Sequence, residues 1–226
     1  MVQLSGARRK PDRMVLRDRP QSRREEIANS ALHALAVVLT LGGGLVLVHE
    51  AWRGHDVLTL ASTFVFAATM VALYMASTVY HALGRGTTKD RLQRIDRAAI
   101  TFLIAGTYTP IALLMIRGWI GASLCLCEWL LVLLSMAIMV RDPQNYPERS
   151  TWIYHAMGWL TALGAIPLIQ HTPTPVIVAL GIGGICYIMG VLFLIRDRVK
   201  YFHAVFHVFV MLGTAFQFWA ISRYVG

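Results

Sequence analysis

The chain is poor in charged residues and in cysteine. Only 15% of its 226 residues are charged while 56% are hydrophobic, which is far from the balance of a soluble globular domain. Its three cysteines, an odd number without CxxC spacing, all fall inside apolar runs, which excludes a disulfide framework or a zinc knuckle. The first 26 residues have no apolar stretch of signal-peptide length, so we expect no cleaved leader. This composition indicates that a lipid bilayer is the solvent of the protein.

Seven apolar runs are long enough to cross a bilayer, which takes about 20 helical residues for about 30 Å of hydrocarbon. They cover approximately residues 27–48, 58–83, 98–116, 119–140, 152–169, 176–195 and 202–224. None alternates polar and apolar residues as a strand does. We therefore predict an all-α integral membrane protein: a seven-helix transmembrane bundle at residues 25–226, preceded by a basic arm at residues 1–24.

The net charge of +9 is distributed unevenly along the chain. Of the 21 Lys and Arg residues, 18 lie in the first 26 positions or in the second, fourth and sixth connections, and only Arg53, Arg117 and Arg223 lie elsewhere. By the positive-inside rule, this distribution predicts a cytoplasmic amino terminus and an outside carboxyl terminus. We expect the basic arm to contact anionic lipid headgroups, and we expect no nucleic-acid partner.

Polar residues collect at the predicted cytoplasmic ends of four spans. In membranes such residues are rare and usually functional, because a polar ring in hydrocarbon needs a partner. The first span begins with "EEIANSALH", the second ends with "STVYHAL", the third begins after Asp96, and the seventh begins with "HAVFHVFV". The residues concerned are Glu25, Glu26, Asn29, His33, Ser77, His81, Asp96, His203 and His207.

The histidines of this layer predict a metal site. His203 and His207 are four residues apart and point the same way from a helix, and His81 can supply a third nitrogen. Three imidazoles suit zinc and leave a fourth position for water, the arrangement of a catalytic site. Asp96 could then act as a general base or hydrogen-bond the water, and Ser77 could orient water or a substrate oxygen.

Other readings of the same residues stay open. The histidine pair could hydrogen-bond backbone or hydroxyl groups, and Asp96 could pair with a neighbouring arginine. His33 could be a fourth ligand that closes the site, or a partner of the other histidines. Glu26 and Asn29 could simply be polar residues at a helix start, where acidic side chains suit the helix dipole.

Glu128 is isolated from this layer, near the middle of the fourth span. A lone carboxylate there is costly unless it is protonated or paired. It could serve substrate or proton passage, or it could be a neutral acid hydrogen-bonded inside the bundle. Of the remaining histidines, we expect His155 at the interface and the others, His49, His55 and His171, on the outer side. Pro110 is expected to kink the third span.

With "RIDRAAITFLIAGTYTP" opening the third span, the ordered motifs of residues 24–224 resemble those of the bacterial haemolysin III family. This family is related to the progestin and adipoQ receptors and, more distantly, to the alkaline ceramidases. The resemblance implies that His81, His203 and His207 bind zinc, that Ser77 and Asp96 accompany them, and that Glu26, Asn29 and His33 form the motif of the first span. It also implies the bacterial inner membrane as location.

The resemblance implies three kinds of function. Relatives are regarded as metal-dependent amide or lipid hydrolases, which predicts a zinc-dependent hydrolase of membrane lipid at the cytoplasmic leaflet. A receptor-like regulator of membrane lipids or energetics, with a structural zinc, is the alternative. Haemolysin III proteins take their name from red-cell lysis, so a lytic protein is the third, although the polar layer sits at one end instead of lining a path.

Overall fold

The computed structural model describes residues 20–54, 56–84 and 86–226, and all regular structure in these ranges is helical. The helices are α1 (Arg23–Gly54), α2 (Val57–Ala82), α3 (Thr87–Pro110), α4 (Gly118–Arg141), α5 (Tyr146–Leu163), α6 (Ala165–His171), α7 (Thr174–Ile195) and α8 (Phe202–Val225). A π-helix, Ile111–Ile116, continues α3 directly. The chain is thus the predicted all-helical membrane protein. The predicted arm lies outside the described residues up to position 19.

Six spans, one of them α3 with its π-helical continuation, are long and apolar enough to cross a membrane, and α5 and α6 pass the same test only when they are taken together as one bent span, which would be the seventh. The fifth span was predicted as one continuous helix, but α5 and α6 meet at a bend of 43°. Proline explains the break: Pro167 has no backbone N–H to donate to the carbonyl of Leu163, and its ring would clash there. The third span responds to Pro110 by changing to π-helix, not by breaking.

The bundle is organised around α3, which packs against α2, α4 and α5. About 72% of the most apolar window of the third span is buried, more than in any other described span. Glycine allows the closest helix approaches. A Cβ on Gly106 of α3 would overlap Thr69 of α2, and one on Gly213 of α8 would overlap the Tyr187 ring of α7. These contacts fix α3 on α2 and α8 on α7.

The outer surface of the bundle is apolar over much of its length. Leu45 on α1, Leu133 on α4 and Ile188 on α7 are all more than 60% exposed. A water-soluble protein would bury side chains of this kind, whereas lipid solvates them without cost. The exposed apolar surface therefore agrees with the membrane assignment.

The first and last helices are neighbours in the bundle. α1 packs against both α2 and α8, so the start of α1, the end of α2 and the start of α8 meet at one end of the molecule. The start of α3 follows α2 at the same end. We call this the histidine end. The positive-inside rule predicts that it faces the cytoplasm.

Candidate metal centre

Two histidines face each other across the α2–α8 contact. Nε2 of His81 lies 3.1 Å from Nε2 of His207, and both side chains are buried. At a zinc–nitrogen distance of about 2.0–2.1 Å, two tetrahedral ligands are separated by roughly 3.3 Å. The two nitrogens are therefore spaced as ligands of one ion would be.

Glu26 of α1 orients the His81 ring. Its Oε2 lies 2.7 Å from His81 Nδ1, on the opposite side of the ring from His207. A ring that donates its Nδ1 hydrogen to a carboxylate presents the Nε2 lone pair, and such carboxylate–histidine pairs are typical of metal sites. The acid at the start of α1 thus makes His81 a better ligand.

His33 joins these two histidines in the described structure. Ligand atoms of His33, His81 and His207 all lie within 4.8 Å of one another, and the three residues are buried. The His33 ring is edge-on to His207, with 4.1 Å between centroids. Neither nitrogen of His33 has a hydrogen-bond partner among the described residues. Buried imidazole nitrogens are normally paired, so this donor set fits a metal ion.

His203 lies beside this group. Its ring centroid is 4.5 Å from that of His207 and 5.4 Å from that of His81. Its Nδ1 is 3.3 Å from the buried carboxylate of Asp197, in the turn between α7 and α8. The histidine group thus contains both His33 and His203, and the assignment of His203 as a ligand remains a prediction from sequence.

Ser77 and Asp96 share one contact next to the histidines. Ser77 is one turn before His81 on α2 and is buried. Asp96 of α3 hydrogen-bonds the Ser77 side chain and interacts electrostatically with His81, His203 and Arg97. Asp96 thus lies within electrostatic range of both the histidines and Arg97, and its role in the site stays a prediction.

Asn29 is the least satisfied residue of the first-span motif. It is fully buried, and neither its amide oxygen nor its amide nitrogen has a partner among the described residues. It lies one turn before His33 on α1 and on the same face. A buried amide without partners costs about 1–3 kcal/mol per group. Its position beside the histidines suits contact with a bound molecule.

Glu25 connects α1 to α8 and was not among the predicted site residues. Its side chain is 1% exposed and accepts hydrogen bonds from the backbone N–H groups of Ser22 and Tyr201, each at 2.9 Å. Ser22 immediately precedes α1, and Tyr201, with φ of 64°, immediately precedes α8. One carboxylate therefore caps two helices. The Ser-x-x-Glu pattern at residues 22–25 is the sequence signal that predicts the first cap.

A second connection across the same end involves Asp197. The side-chain amide of Gln21 donates to both Asp197 carboxylate oxygens at 3.0 Å. Because Asp197 also contacts His203, the start of α1 reaches this histidine through two hydrogen-bonded side chains. The sequence offered a weak signal for it, a single acid within the basic connection 196–200.

The other ionisable residues of interest lie elsewhere. Glu128 is fully buried on α4; its Oε1 is 3.3 Å from the Thr161 hydroxyl and its Oε2 has no partner in the described structure. The rings of His155 and His171 are exposed and contact a backbone carbonyl of their own helix at 2.7 Å. His49 is exposed near the end of α1, and His55 lies outside the described residues.

Comparison with known proteins places the chain among membrane proteins of one kind. A family model described as "Haemolysin-III related" matches residues 21–218. "Hemolysin-3 homolog" of Bacillus subtilis is 33% identical over 201 residues, which cover 89% of this chain and 94% of that protein. "Hemolysin-3" of Bacillus cereus is 30% identical over 202 residues, covering 89% and 92%. The human "Monocyte to macrophage differentiation factor" is 26% identical over 207 residues, covering 89% and 84%. The chain therefore belongs to the haemolysin III family.

Proposed function

We propose that this protein binds zinc at the histidine end and hydrolyses an amide or ester bond of a membrane lipid. The observation that supports the proposal most directly is the pair of Nε2 atoms of His81 and His207, 3.1 Å apart, with Nδ1 of His81 held by Glu26. Imidazole nitrogens in such an arrangement are typical zinc ligands. The location that we propose is the cytoplasmic leaflet of the bacterial inner membrane.

Three histidine ligands would leave one coordination position open. His81 and His207 belong to both candidate sets, and the third nitrogen comes from His203 in the predicted set or from His33 in the compact group. Zinc in such a site supplies two things: it activates a water molecule and it polarises a carbonyl oxygen. The choice between His33 and His203 decides which side of the ion faces the substrate.

The remaining residues would handle protons and orientation. Asp96 would take the proton of the attacking water and return it to the departing amine or alkoxide, because it lies beside the histidines and is held by Ser77. Glu26 would keep the His81 ring in its ligand orientation. Lipid would enter from the side, since the outer surface is apolar and the site lies near one end of the helices.

Metal analysis and lipid turnover test this proposal together. Purified protein should contain about one zinc per chain, as expected for one centre with His81 and His207 as shared ligands. It should release free fatty acid from lipid extracts, and chelation should stop the release. Protein without metal by elemental analysis would end the proposal.

A non-enzymatic regulator with a structural zinc is the second candidate. The observation that favours it is the number of imidazoles: His33, His81, His203 and His207 all have ring centroids within 6.1 Å of at least one other, so four nitrogens could close the coordination sphere. In that case chelation should lower the thermal midpoint while no lipid is turned over. Cobalt substitution reports the same distinction, since a closed tetrahedral site gives a spectrum that added ligands do not change.

A further inference from the structure

A pocket opens beside the histidines at the histidine end. It has a volume of about 310 Å³. His81 and His203 line it together with Glu26, Tyr80 and Lys89. A molecule in this pocket would lie next to the proposed zinc ligands.

The ammonium group of Lys89 is held in this pocket by three different groups. Its Nζ lies 2.6 Å from Oε1 of Glu26 and 3.0 Å from the carbonyl oxygen of Leu83. It also sits 4.8 Å above the centre of the Tyr80 ring. A carboxylate, a carbonyl and an aromatic face are the set of partners by which proteins recognise a cationic amine. We call these three groups the ammonium cage.

The position of Lys89 near the start of α3 is not favourable for a lysine in a helix. Lys89 is the third residue of α3, where the positive end of the helix dipole disfavours a cation. The preceding Gly86 provides no side-chain cap for α3. The position of the Lys89 ammonium therefore depends on the cage itself.

The cage and the metal site share one residue. Oε1 of Glu26 contacts Lys89, and Oε2 of the same carboxylate contacts Nδ1 of His81. A cation in the cage is thus one carboxylate away from a proposed zinc ligand. With the Lys89 side chain swung away, the pocket would keep two acids, Glu26 and Asp90, and its histidines.

We propose that the cage binds the primary ammonium of a lipid, and that Lys89 occupies it until such a lipid displaces it. This inference rests on the proposed function, because it adds that the substrate or its released product carries an amine. Two of the cage contacts are hydrogen bonds from Nζ, to Glu26 and to Leu83, so the ligand must be an N–H donor. A quaternary ammonium has the same charge but cannot donate.

Thermal stability of the purified full-length protein in detergent tests the cage directly. The probes are dodecylamine and dodecyltrimethylammonium, which differ in N–H groups but not in charge. Lys89→Met removes the ammonium that competes with a ligand for the cage. Its thermal midpoint should therefore rise at a dodecylamine concentration about tenfold lower than the wild type needs. Lys200→Met, an exposed lysine at the same end, should respond like the wild type. Dodecyltrimethylammonium should not change the thermal midpoint of the wild type or of either variant.

Two results would overturn the proposal: an equal response of Lys89→Met and wild type to dodecylamine, or an equal response of Lys89→Met to both probes. If Lys89→Met does not fold, Tyr80→Leu serves as the test. Loss of the aromatic face should reduce the stabilisation by dodecylamine severalfold. An unchanged response of Tyr80→Leu would then refute the cage.

Lipid nanodiscs distinguish the two sources of the amine. Phosphatidylethanolamine in a phosphatidylcholine bilayer should stabilise Lys89→Met if the cage reads a headgroup. Stabilisation by dodecylamine alone would assign the cage to a single-chain amine, as amide hydrolysis would release. These readouts need no turnover, so selective amine binding without hydrolysis would refute the proposed function and leave the cage standing.

Discussion

Two regions of this protein bury ionisable groups within spans, and they differ in the polar groups that surround them. At the histidine end, groups from α1, α2, α3 and α8 converge, and carboxylates there make short contacts with imidazole, ammonium and backbone N–H. At Glu128, in the middle of α4, the side-chain hydrogen-bond partner within the described part of the chain is the Thr161 hydroxyl at 3.3 Å. Polar groups that converge from several helices indicate a shared ligand, whereas a solitary acid indicates local accommodation.

The two regions also differ in access. The histidine end has a pocket that reaches His81 and His203. Around Glu128 the helices are closely packed: a Cβ on Gly121 would overlap the carbonyl of Ala112, and one on Gly164 would overlap the Tyr108 hydroxyl. A bound molecule can enter the first region without moving helices, which is a further reason to place the chemistry there.

The largest expected effect is that of His207→Ala. Because His207 is common to both candidate ligand sets, the variant should lose its zinc and its lipid hydrolysis. The loss of affinity should exceed the roughly 10- to 100-fold that partners of ligands cause. Elemental analysis and fatty-acid release measure the two effects. His155→Ala, an exposed histidine on α5, is the matched control and should keep both. Retained zinc in His207→Ala would remove the histidine end from consideration.

Glu26→Gln should weaken zinc binding at the same centre by less than His207→Ala does. The amide keeps the shape of the side chain but loses the charge that holds the His81 ring, so zinc affinity should fall by about 10- to 100-fold. A competition titration with a chromophoric chelator measures this. Unchanged affinity would mean that the Glu26–His81 contact is independent of metal binding.

Glu25→Ala should lower the free energy of unfolding by about 1–3 kcal/mol, since it removes the carboxylate that accepts a hydrogen bond from the N–H of Tyr201 at the start of α8. Chemical denaturation of metal-free protein gives the change in free energy of unfolding. Glu148→Ala, an exposed acid in the first turn of α5, should change stability by less than about 0.5 kcal/mol. Equal effects of the two variants would contradict the capping role of Glu25.

The smallest effect should come from Glu128→Met. It removes a buried carboxylate that has one long hydrogen bond and one oxygen without a partner, so stability should stay within about 1 kcal/mol or rise. Zinc content should be unchanged, because no contact links Glu128 to the histidines in the described residues. Loss of lipid hydrolysis in this variant with zinc retained would revive substrate or proton passage through α4.

Much of the fold was predictable because hydropathy reports directly on spans. Run length predicted the positions of the six unbroken spans, since each must cross the same thickness of hydrocarbon. Run length does not predict the bend between α5 and α6, because Pro167 lies within an apolar run while its nitrogen cannot donate a hydrogen bond to the carbonyl of Leu163. The π-helical continuation after Pro110 packs against α4, and hydropathy does not report which kind of helix follows a proline.

The sequence predicts the depth of the polar residues along their helices but not which of them contact one another. Counting residues from span ends placed Glu26, His33, Ser77, His81, Asp96 and the α8 histidines at one level. Which nitrogens face each other depends on the rotation of each helix and on the α1–α8 contact, and a single sequence contains no direct signal for either. For the same reason the hydrogen bond from Tyr201 to Glu25 and the contact of Asp197 with His203 became visible only in the structure.

The adjacency of α1 and α8 has a consequence for biogenesis. The site residues of α1 leave the ribosome first and His207 of α8 leaves last, so a nascent chain that has inserted every helix before α8 still lacks part of the centre. Under the proposed function, metal would bind after insertion of the final helix. A chain truncated before α8 would lack both His203 and His207 and would leave the buried rings of His33 and His81 without their neighbours on that helix.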